Sequence, residues 1–189
     1  MATAAAALMP WTVRNRIVTG HWVPTTLWVG PSLYDGLNPK ATGASDMRFF
    51  DEERLFLTAS EYEVDREYRR RAWEFVRDNP GRAAELALVK LWRYGRPWPG
   101  AEQFASFSAR FLVAVYYLPM LALAVYGAWR HRRDLWLIAL TAGPLLMFAA
   151  VHCVFVASLR YRLPAEYPLC VLSAVGLQSL LAHRTASVT

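Results

Sequence analysis

Long apolar runs occupy the C-terminal half of the chain. Residues 111–129 carry no charged side chain, and residues 135–159 carry only His152. Residues 163–182 are apolar apart from Glu166 and a few serine and glutamine side chains. A helix needs about 20 predominantly apolar residues to cross the hydrocarbon core of a bilayer. The pattern therefore predicts about three transmembrane helices, at residues 104–129, 134–158 and 164–182.

Aromatic residues support the limits of these spans, because tryptophan and tyrosine rings favour the interface between water and hydrocarbon. In this sequence they cluster at the predicted ends, at Trp98, Phe104, Trp129, Trp136, Tyr161 and Tyr167. The alternative is a buried helical hairpin in a soluble protein. A chain of 189 residues has too little further sequence to enclose two fully apolar helices. We therefore expect an integral, multi-pass membrane protein with an all-α fold.

The short loops predict an orientation in the inner (plasma) membrane of the cell. Lysine and arginine are retained on the cytoplasmic side during insertion, and residues 130–133 read Arg-His-Arg-Arg. This loop is therefore expected in the cytoplasm, with residues 183–189 as a cytoplasmic tail and residues 1–103 outside. Arg160 and Arg162 then fall on the outer side, against the rule, so their position needs a reason.

The outer residues 1–103 are expected to form an extracytoplasmic loop region. Residues 1–9 are apolar but too short to span, as at the end of a longer helix. Residues 10–43 are rich in glycine, proline, asparagine and β-branched residues, which favours turns and short extended pieces.

Two amphipathic helices are predicted to follow within this loop region. Ser60 is the predicted N-cap of the first helix, and Asn79-Pro80-Gly81 is its stop signal. The second helix, residues 82–94, bears tryptophan and arginine and leads to the first membrane entry. It suits either a position in the interface plane or packing against the loop region.

Composition and motifs exclude several classes of function. The net charge of +6 comes from arginines dispersed among apolar helices, which does not favour a nucleic-acid partner. Cys153 and Cys170 fall inside predicted spans, where we expect packed apolar side chains, and His152 is expected to be packed and hydrogen-bonded. No metal-ligand spacing or phosphate-binding glycine loop occurs, so neither a metal nor a cofactor is predicted.

Two groups of short motifs carry a resemblance to a known family. The first is Pro10-Trp11-Thr12-Val13-Arg14-Asn15 with the glycine- and proline-rich residues up to Gly43, and the second is Arg160-Tyr161-Arg162-Leu163-Pro164. Their order and spacing resemble the C-terminal part of GT-C superfamily membrane glycosyltransferases. This superfamily includes the dolichyl-phosphate-mannose protein mannosyltransferases and the bacterial transferases that attach aminoarabinose to lipid A. The resemblance covers nearly the whole chain but only part of such enzymes.

The resemblance implies the C-terminal portion of a glycosyltransferase that uses a polyprenyl-phosphate-linked sugar donor. The family's catalytic base lies in an early acidic loop that has no counterpart here, so the catalytic residues are unknown and the chain alone is expected to be inactive. Asp35, Asp46 and Asp51 are candidate acids, although most loop carboxylates are solvated. Expected partners are membrane lipid, the sugar donor, and a missing N-terminal half or a partner membrane subunit.

The predicted substrate-binding residues are arginines and their neighbours in the two motifs. Arg160 and Arg162 flank Tyr161, and in an extended segment they would point the same way and grip one phosphate. The alternative for both is snorkelling to lipid headgroups. Arg14 and Asn15 would form a polar anchor near the donor site, or equally an interfacial arginine and a turn asparagine.

A non-catalytic integral membrane protein that binds lipid or a partner subunit is the alternative function. It would keep the loop region and the arginines without transferring sugar. A reading frame that continues upstream into further apolar spans and an acidic loop would favour the enzyme, and a genuine start signal would favour the alternative.

Overall fold

The computed structural model describes residues 2–100 and 106–186, and within them all regular structure is helical, with no strand. This confirms the all-α prediction. The chain forms two compact units, Met1–Leu86 and Ala87–Thr189, which we call unit 1 and unit 2. Each unit is described by itself.

Unit 1 is built around a pair of packed helices. Its elements are α1 (Ala2–Thr19), α2 (Val29–Gly36), α3 (Arg48–Glu53), a 3-10 turn (Leu55–Leu57), α4 (Glu61–Asp78) and the start of α5 (Pro80–Gly95). Tyr68 and Ala72 of α4 are fully buried, and Leu33 of α2 is 5% exposed. The prediction of turns and extended pieces for residues 10–43 is wrong where α1 and α2 form. Pro31 lies in the first turn of α2, where the missing N–H costs no helical hydrogen bond.

The ends of α4 follow the signals in the sequence. Ser60 and Glu63 form a capping box, in which the Ser60 amide donates to Glu63 Oε2 at 2.9 Å and Ser60 Oγ accepts from the Glu63 amide. The helix ends at Asp78, before the predicted stop. Near the start of α4, Gly30 of α2 lies so close that an added Cβ would sit 1.9 Å from the Asp65 carbonyl oxygen. Only glycine fits this contact.

Unit 2 holds the long apolar helices. They are α6 (Phe107–Arg130), α7 (Leu135–Thr141), α8 (Gly143–Val154) and α9 (Leu159–Ala186). α6 and the stretch Leu159–Ala182 are long and apolar enough to cross a membrane, and α7 with α8 would make a third span bent by 48°. Pro144 at the start of α8 explains the bend, because proline cannot continue the hydrogen-bond ladder from α7. Two or three helices could therefore cross.

Close contact of α6 with α9 organises unit 2. A Cβ added to Gly127 would lie 2.5 Å from the Leu172 carbonyl oxygen, and one added to Gly176 would lie 2.1 Å from that of Leu123. Small residues of this kind let two helix backbones touch. The side chain of Ser173 adds a hydrogen bond across the pair, to the Met120 carbonyl at 2.8 Å.

Candidate functional site

The arginines of the second motif point in different directions. Residues 159–164 are the start of α9, and the extended conformation expected for them is wrong. Residues two apart lie on different sides of a helix. Arg160 is exposed, with its Nη2 donating to the Tyr161 hydroxyl at 2.8 Å, whereas Arg162 is only 1% exposed. The fold therefore brings Arg160 and Tyr161 together and turns Arg162 inward.

Arg162 has several partners inside unit 2. Its Nε donates to Glu166 at 2.6 Å, and its Nη1 donates to the carbonyls of Tyr94 and Arg96 at 3.0 and 2.8 Å. Its Cζ lies 3.7 Å from the ring centroid of Tyr117. These carbonyls belong to the end of α5 and the residue after it, where a helix leaves carbonyls without intrahelical partners. Arg162 and Glu166 lie four residues apart, which is one helical turn. Their buried ion pair therefore favours a helix here and explains why the segment is not extended.

Lys90 likewise donates a hydrogen bond to a backbone carbonyl at the end of another helix, α8. Its side chain is fully buried, and Nζ donates to the Val154 carbonyl at 2.6 Å at the C-terminus of α8. Leu86, Lys90 and Tyr94 lie four residues apart and are all nearly buried, so they form one inner face of α5. This role of Lys90 was not predicted from the sequence. A lysine on the apolar face of an amphipathic helix is the signal that would have indicated this contact.

Three arginines concentrate positive charge between the last turn of α5 and the first turn of α6. Arg93 lies in the last turn of α5, Arg96 directly follows that helix, and Arg110 lies in the first turn of α6. Burial lowers the pKa of the Arg96 guanidinium, and the nearby charges of Arg93 and Arg110 lower it further. The Nε atom of Arg93 is buried and has no hydrogen-bond partner among the described residues. We call Arg93, Arg96 and Arg110 the arginine group.

The neighbouring surface of α5 is apolar and aromatic. Leu88 and Trp92 are 68% and 63% exposed, and the Trp92 and Trp98 rings meet edge to face with centroids 6.4 Å apart. Exposed tryptophan beside arginine is typical of the membrane interface. Sequence reasoning missed the arginine group, although Arg93 and Arg96 directly precede the proline-rich entry to α6.

Arg14 and Asn15 lie together on α1 in unit 1. Asn15 is 6% exposed, and its Nδ2 donates to the Val23 carbonyl at 2.9 Å. Arg14 is exposed, donates to the Asn15 side chain at 3.2 Å, and lies 4.9 Å from the Trp11 ring centroid. Asn15 therefore fixes the loop after α1. Like the assignment of Arg160, Tyr161 and Arg162, that of Arg14 and Asn15 to substrate binding stays a prediction.

The candidate loop carboxylates are poor general bases. Asp35 is buried and accepts from Ser45 Oγ and the Asp46 amide, both at 2.7 Å. Hydrogen bonds from Arg48 lower the pKa of Asp46 to about 2, far below the neutral range in which a base is effective. Asp51 is an exposed side chain on α3.

Other titratable side chains of unit 2 are packed. His152 is 8% exposed, stacks on Tyr161 with ring centroids 4.5 Å apart, and pairs through Nδ1 with the Val156 carbonyl, which confirms the expected packed histidine. Cys153 and Cys170 are both free thiols. Across residues 2–100 and 106–186, no three His, Cys, Asp or Glu side chains are grouped so that they could hold a metal ion.

Comparison of the chain with protein-family models, with curated proteins and with solved structures gave no match.

Proposed function

We propose that this chain binds the phosphate of a membrane lipid at the arginine group, as the C-terminal, donor-binding portion of a polyprenyl-phosphate-dependent glycosyltransferase. The observation that carries the proposal is the positive charge of Arg93, Arg96 and Arg110, which have no acidic partner among residues 2–100 and 106–186, beside an exposed tryptophan-bearing face. Charge of this kind at a membrane interface suits a lipid headgroup.

A phosphate would supply negative charge and hydrogen-bond acceptors to the arginine group. Guanidinium groups bind phosphate through paired, charge-assisted hydrogen bonds. The N-terminus of α6 carries a further partial positive charge close to Arg110. An anion there would relieve the mutual repulsion of the arginines and give the buried Nε of Arg93 an acceptor. The apolar surface of α6 would lie beside the lipid chain.

Arg162 has a positioning role in this proposal. It binds the carbonyls of residues 94–96 and so fixes the segment that carries Arg93 and Arg96. Loss of Arg162 would therefore weaken lipid binding without removing a direct contact. Arg160, which is exposed, is available as an additional contact.

The proposed contribution is donor binding and not proton abstraction, because Asp35 and Asp46 are engaged in hydrogen bonds. We therefore expect the chain alone to transfer no sugar from a polyprenyl-phosphate donor to any acceptor in a broad set. Robust turnover by the purified chain would contradict this expectation.

The experiment is a binding titration of the full chain in nanodiscs of neutral lipid. Polyprenyl phosphate is the probe, and the matched uncharged polyprenol is its control. Arg96→Gln and Arg110→Gln are each expected to weaken binding about tenfold, the loss of one charge-assisted hydrogen bond. Arg130→Gln, at the other end of α6, should bind as the parent does. Equal binding by all variants would reject the arginine group as the site.

Glu102 provides a further test of the arginine group, because it is an acidic residue between Arg96 and Arg110 in the sequence. It lies outside the described residues. If Glu102→Gln binds polyprenyl phosphate more tightly, this carboxylate competes with the phosphate. Weaker binding by Glu102→Gln would contradict a site whose affinity comes from positive charge.

The non-catalytic lipid-binding protein remains the second candidate, because the same charges would serve it. Phosphatidylglycerol, a phosphodiester lipid, distinguishes the two functions. A donor-binding site should prefer the monoester polyprenyl phosphate, whose extra negative charge matches three arginines. Equal affinity for both lipids would favour the non-catalytic function.

The orientation can be tested on intact cells. We propose that residues 130–133 face the cytoplasm and that unit 1 faces outward, where an outer-leaflet donor would be reached. In a cysteine-free background, a cysteine in place of His131 should resist a membrane-impermeant label, and one in place of Tyr34 should react. Labelling of position 131 from outside would overturn this topology.

A further inference from the structure

Unit 1 contains an open cleft of about 330 Å³ between the loop after α1 and the first half of α4. One wall is the loop of residues 22–27, and the other is formed by Tyr62, Asp65, Arg66 and Arg69 of α4. Small-molecule sites have volumes of roughly 300 to 1,000 Å³. The cleft is at the lower limit, which suits a ligand of one or two rings.

The loop wall is fixed in advance by side chains of α1. Trp11 Nε1 donates to the Thr25 carbonyl at 2.7 Å, and Asn15 Nδ2 donates to the Val23 carbonyl at 2.9 Å. Two carbonyls of the loop are thus held by one helix. A wall held in this way loses little conformational entropy when a ligand binds.

The other wall is fixed through Asp65. One carboxylate oxygen accepts from the Gly30 amide at 2.6 Å, and the other binds Arg69. Asp65 is 3% exposed, and both of its carboxylate oxygens have a hydrogen-bond partner within the wall. Its role is to hold α4 in place.

Arg66 supplies a cation that the fold leaves available. The three later arginines of this run, at positions 69, 70 and 71, are each paired with acidic side chains. Arg66 lines the cleft, and its side chain forms no hydrogen bond or ion pair with any other residue in the described part of the chain. An arginine in this state offers its planar fork to a carboxylate or phosphate.

Aromatic rings and hydroxyl groups complete the lining. Trp22 is 66% exposed, and Tyr62 is braced by His21, which stacks on it with ring centroids 3.6 Å apart. The apolar faces of a sugar ring pack well on such rings, and the hydroxyls of Thr25 and Thr26 can pair with sugar hydroxyls. Neither threonine hydroxyl is used elsewhere within the described residues.

We propose that this cleft binds an anionic saccharide, with Arg66 holding the carboxylate or phosphate and Trp22 and Tyr62 packing against the sugar ring. The proposal does not rest on lipid binding by unit 2. Its residues, ligand and test are separate, so either proposal can fail alone.

The test is titration of the full chain in neutral nanodiscs with glucuronate, glucose 1-phosphate, glucose and inorganic phosphate. Glucuronate and glucose 1-phosphate are the two possible sources of the anion. We expect at least one of them to bind about tenfold more tightly than glucose or inorganic phosphate. Binding should quench Trp22 fluorescence, which Trp22→Phe would identify.

Variants assign the contacts. Arg66→Gln should reduce binding of the anionic saccharide to that of glucose, and Trp22→Ala should weaken both. Arg77→Gln, which removes the same charge from an exposed position on α4, should bind as the parent does. No saturable binding, equal binding of inorganic phosphate, or an equal effect of Arg66→Gln and Arg77→Gln would overturn the proposal.

Discussion

Each unit contains one of the two lysines of the chain, and the two occupy opposite environments. Lys40 in unit 1 is exposed, whereas Lys90 in unit 2 is fully buried and donates to the carbonyl at the end of α8. Lysine is almost never buried without a partner. The contrast shows that the apolar unit uses cations as parts of its interior.

The arginines of the two units differ in the same way as the lysines. In unit 1, Arg70 and Arg71 bind exposed or half-exposed carboxylates at distances of 2.6 to 3.0 Å. In unit 2, Arg162 binds backbone carbonyls and a buried glutamate. Water can satisfy the ends of a surface helix, but an apolar surrounding cannot. A long cation that reaches a helix end therefore stabilises unit 2 in a way that a surface ion pair cannot match.

The largest expected effect is the loss of the Arg162 cation. Arg162→Met leaves Glu166 buried without its charge partner and several carbonyls without a donor, which costs about 3 to 5 kcal/mol. Denaturant unfolding of the full chain in detergent micelles measures this free energy. The matched Arg160→Met, in an exposed position, should change it by about 0.5 kcal/mol or less.

A double variant sharpens this prediction. Arg162→Met combined with Glu166→Met removes both buried charges and should recover part of the lost stability. Unfolding of Arg162→Met at the same denaturant concentration as Arg160→Met would show that the buried cation is dispensable.

The two lysines allow the same comparison with a smaller effect. Lys90→Met keeps the side-chain length but leaves the Val154 carbonyl without this donor, at a cost of about 1 to 3 kcal/mol. Lys40→Met should be nearly neutral, because Lys40 is exposed. The same unfolding assay compares them, and equal effects of the two substitutions would remove the distinction between the units.

Features that depend on short stretches of sequence could be predicted. The apolar runs indicated α6 and α9, and Ser60 with Asn79-Pro80-Gly81 indicated the limits of α4, because these signals act within one helix. The part of α1 after residue 9 and all of α2 were missed, since the glycine and proline content of residues 10–43 favours turns unless packing overrides it.

Contacts between distant parts of the chain could not be predicted. Arg162 turns inward because carbonyls 66 to 68 positions away in the sequence need donors. The cleft beside Arg66 depends in the same way on carbonyls of the loop after α1, which are held by Asn15 and its neighbours. No local pattern specifies these partners, so the arginine motif alone suggested an extended phosphate clamp.

The contribution of a surface ion pair to the free energy of unfolding should fall as the salt concentration rises, and that of a buried ion pair should not. Arg71 binds Glu53 and Glu67 at 2.6 and 2.7 Å, with about a third of its side chain exposed. Arg71→Met is expected to cost at most about 1 kcal/mol at low salt, and less as the salt concentration rises. The effect of Arg162→Met should stay constant over the same range. A salt-independent effect of Arg71→Met would contradict this difference between the units.

The smallest expected effect is a loss of stability of unit 1 in acid. Hydrogen bonds from Arg70 and Arg71 lower the pKa of Glu67 from 4.5 to about 2. The unfolded chain therefore binds this proton more readily than the folded one, so the stabilisation is complete above about pH 4.5 and declines as the pH falls toward 2. Hydrogen exchange of α4 peptides from the full chain should increase across this interval. Glu67→Gln, which cannot ionise, should flatten the pH dependence, and an unchanged slope in that variant would show that another carboxylate causes it.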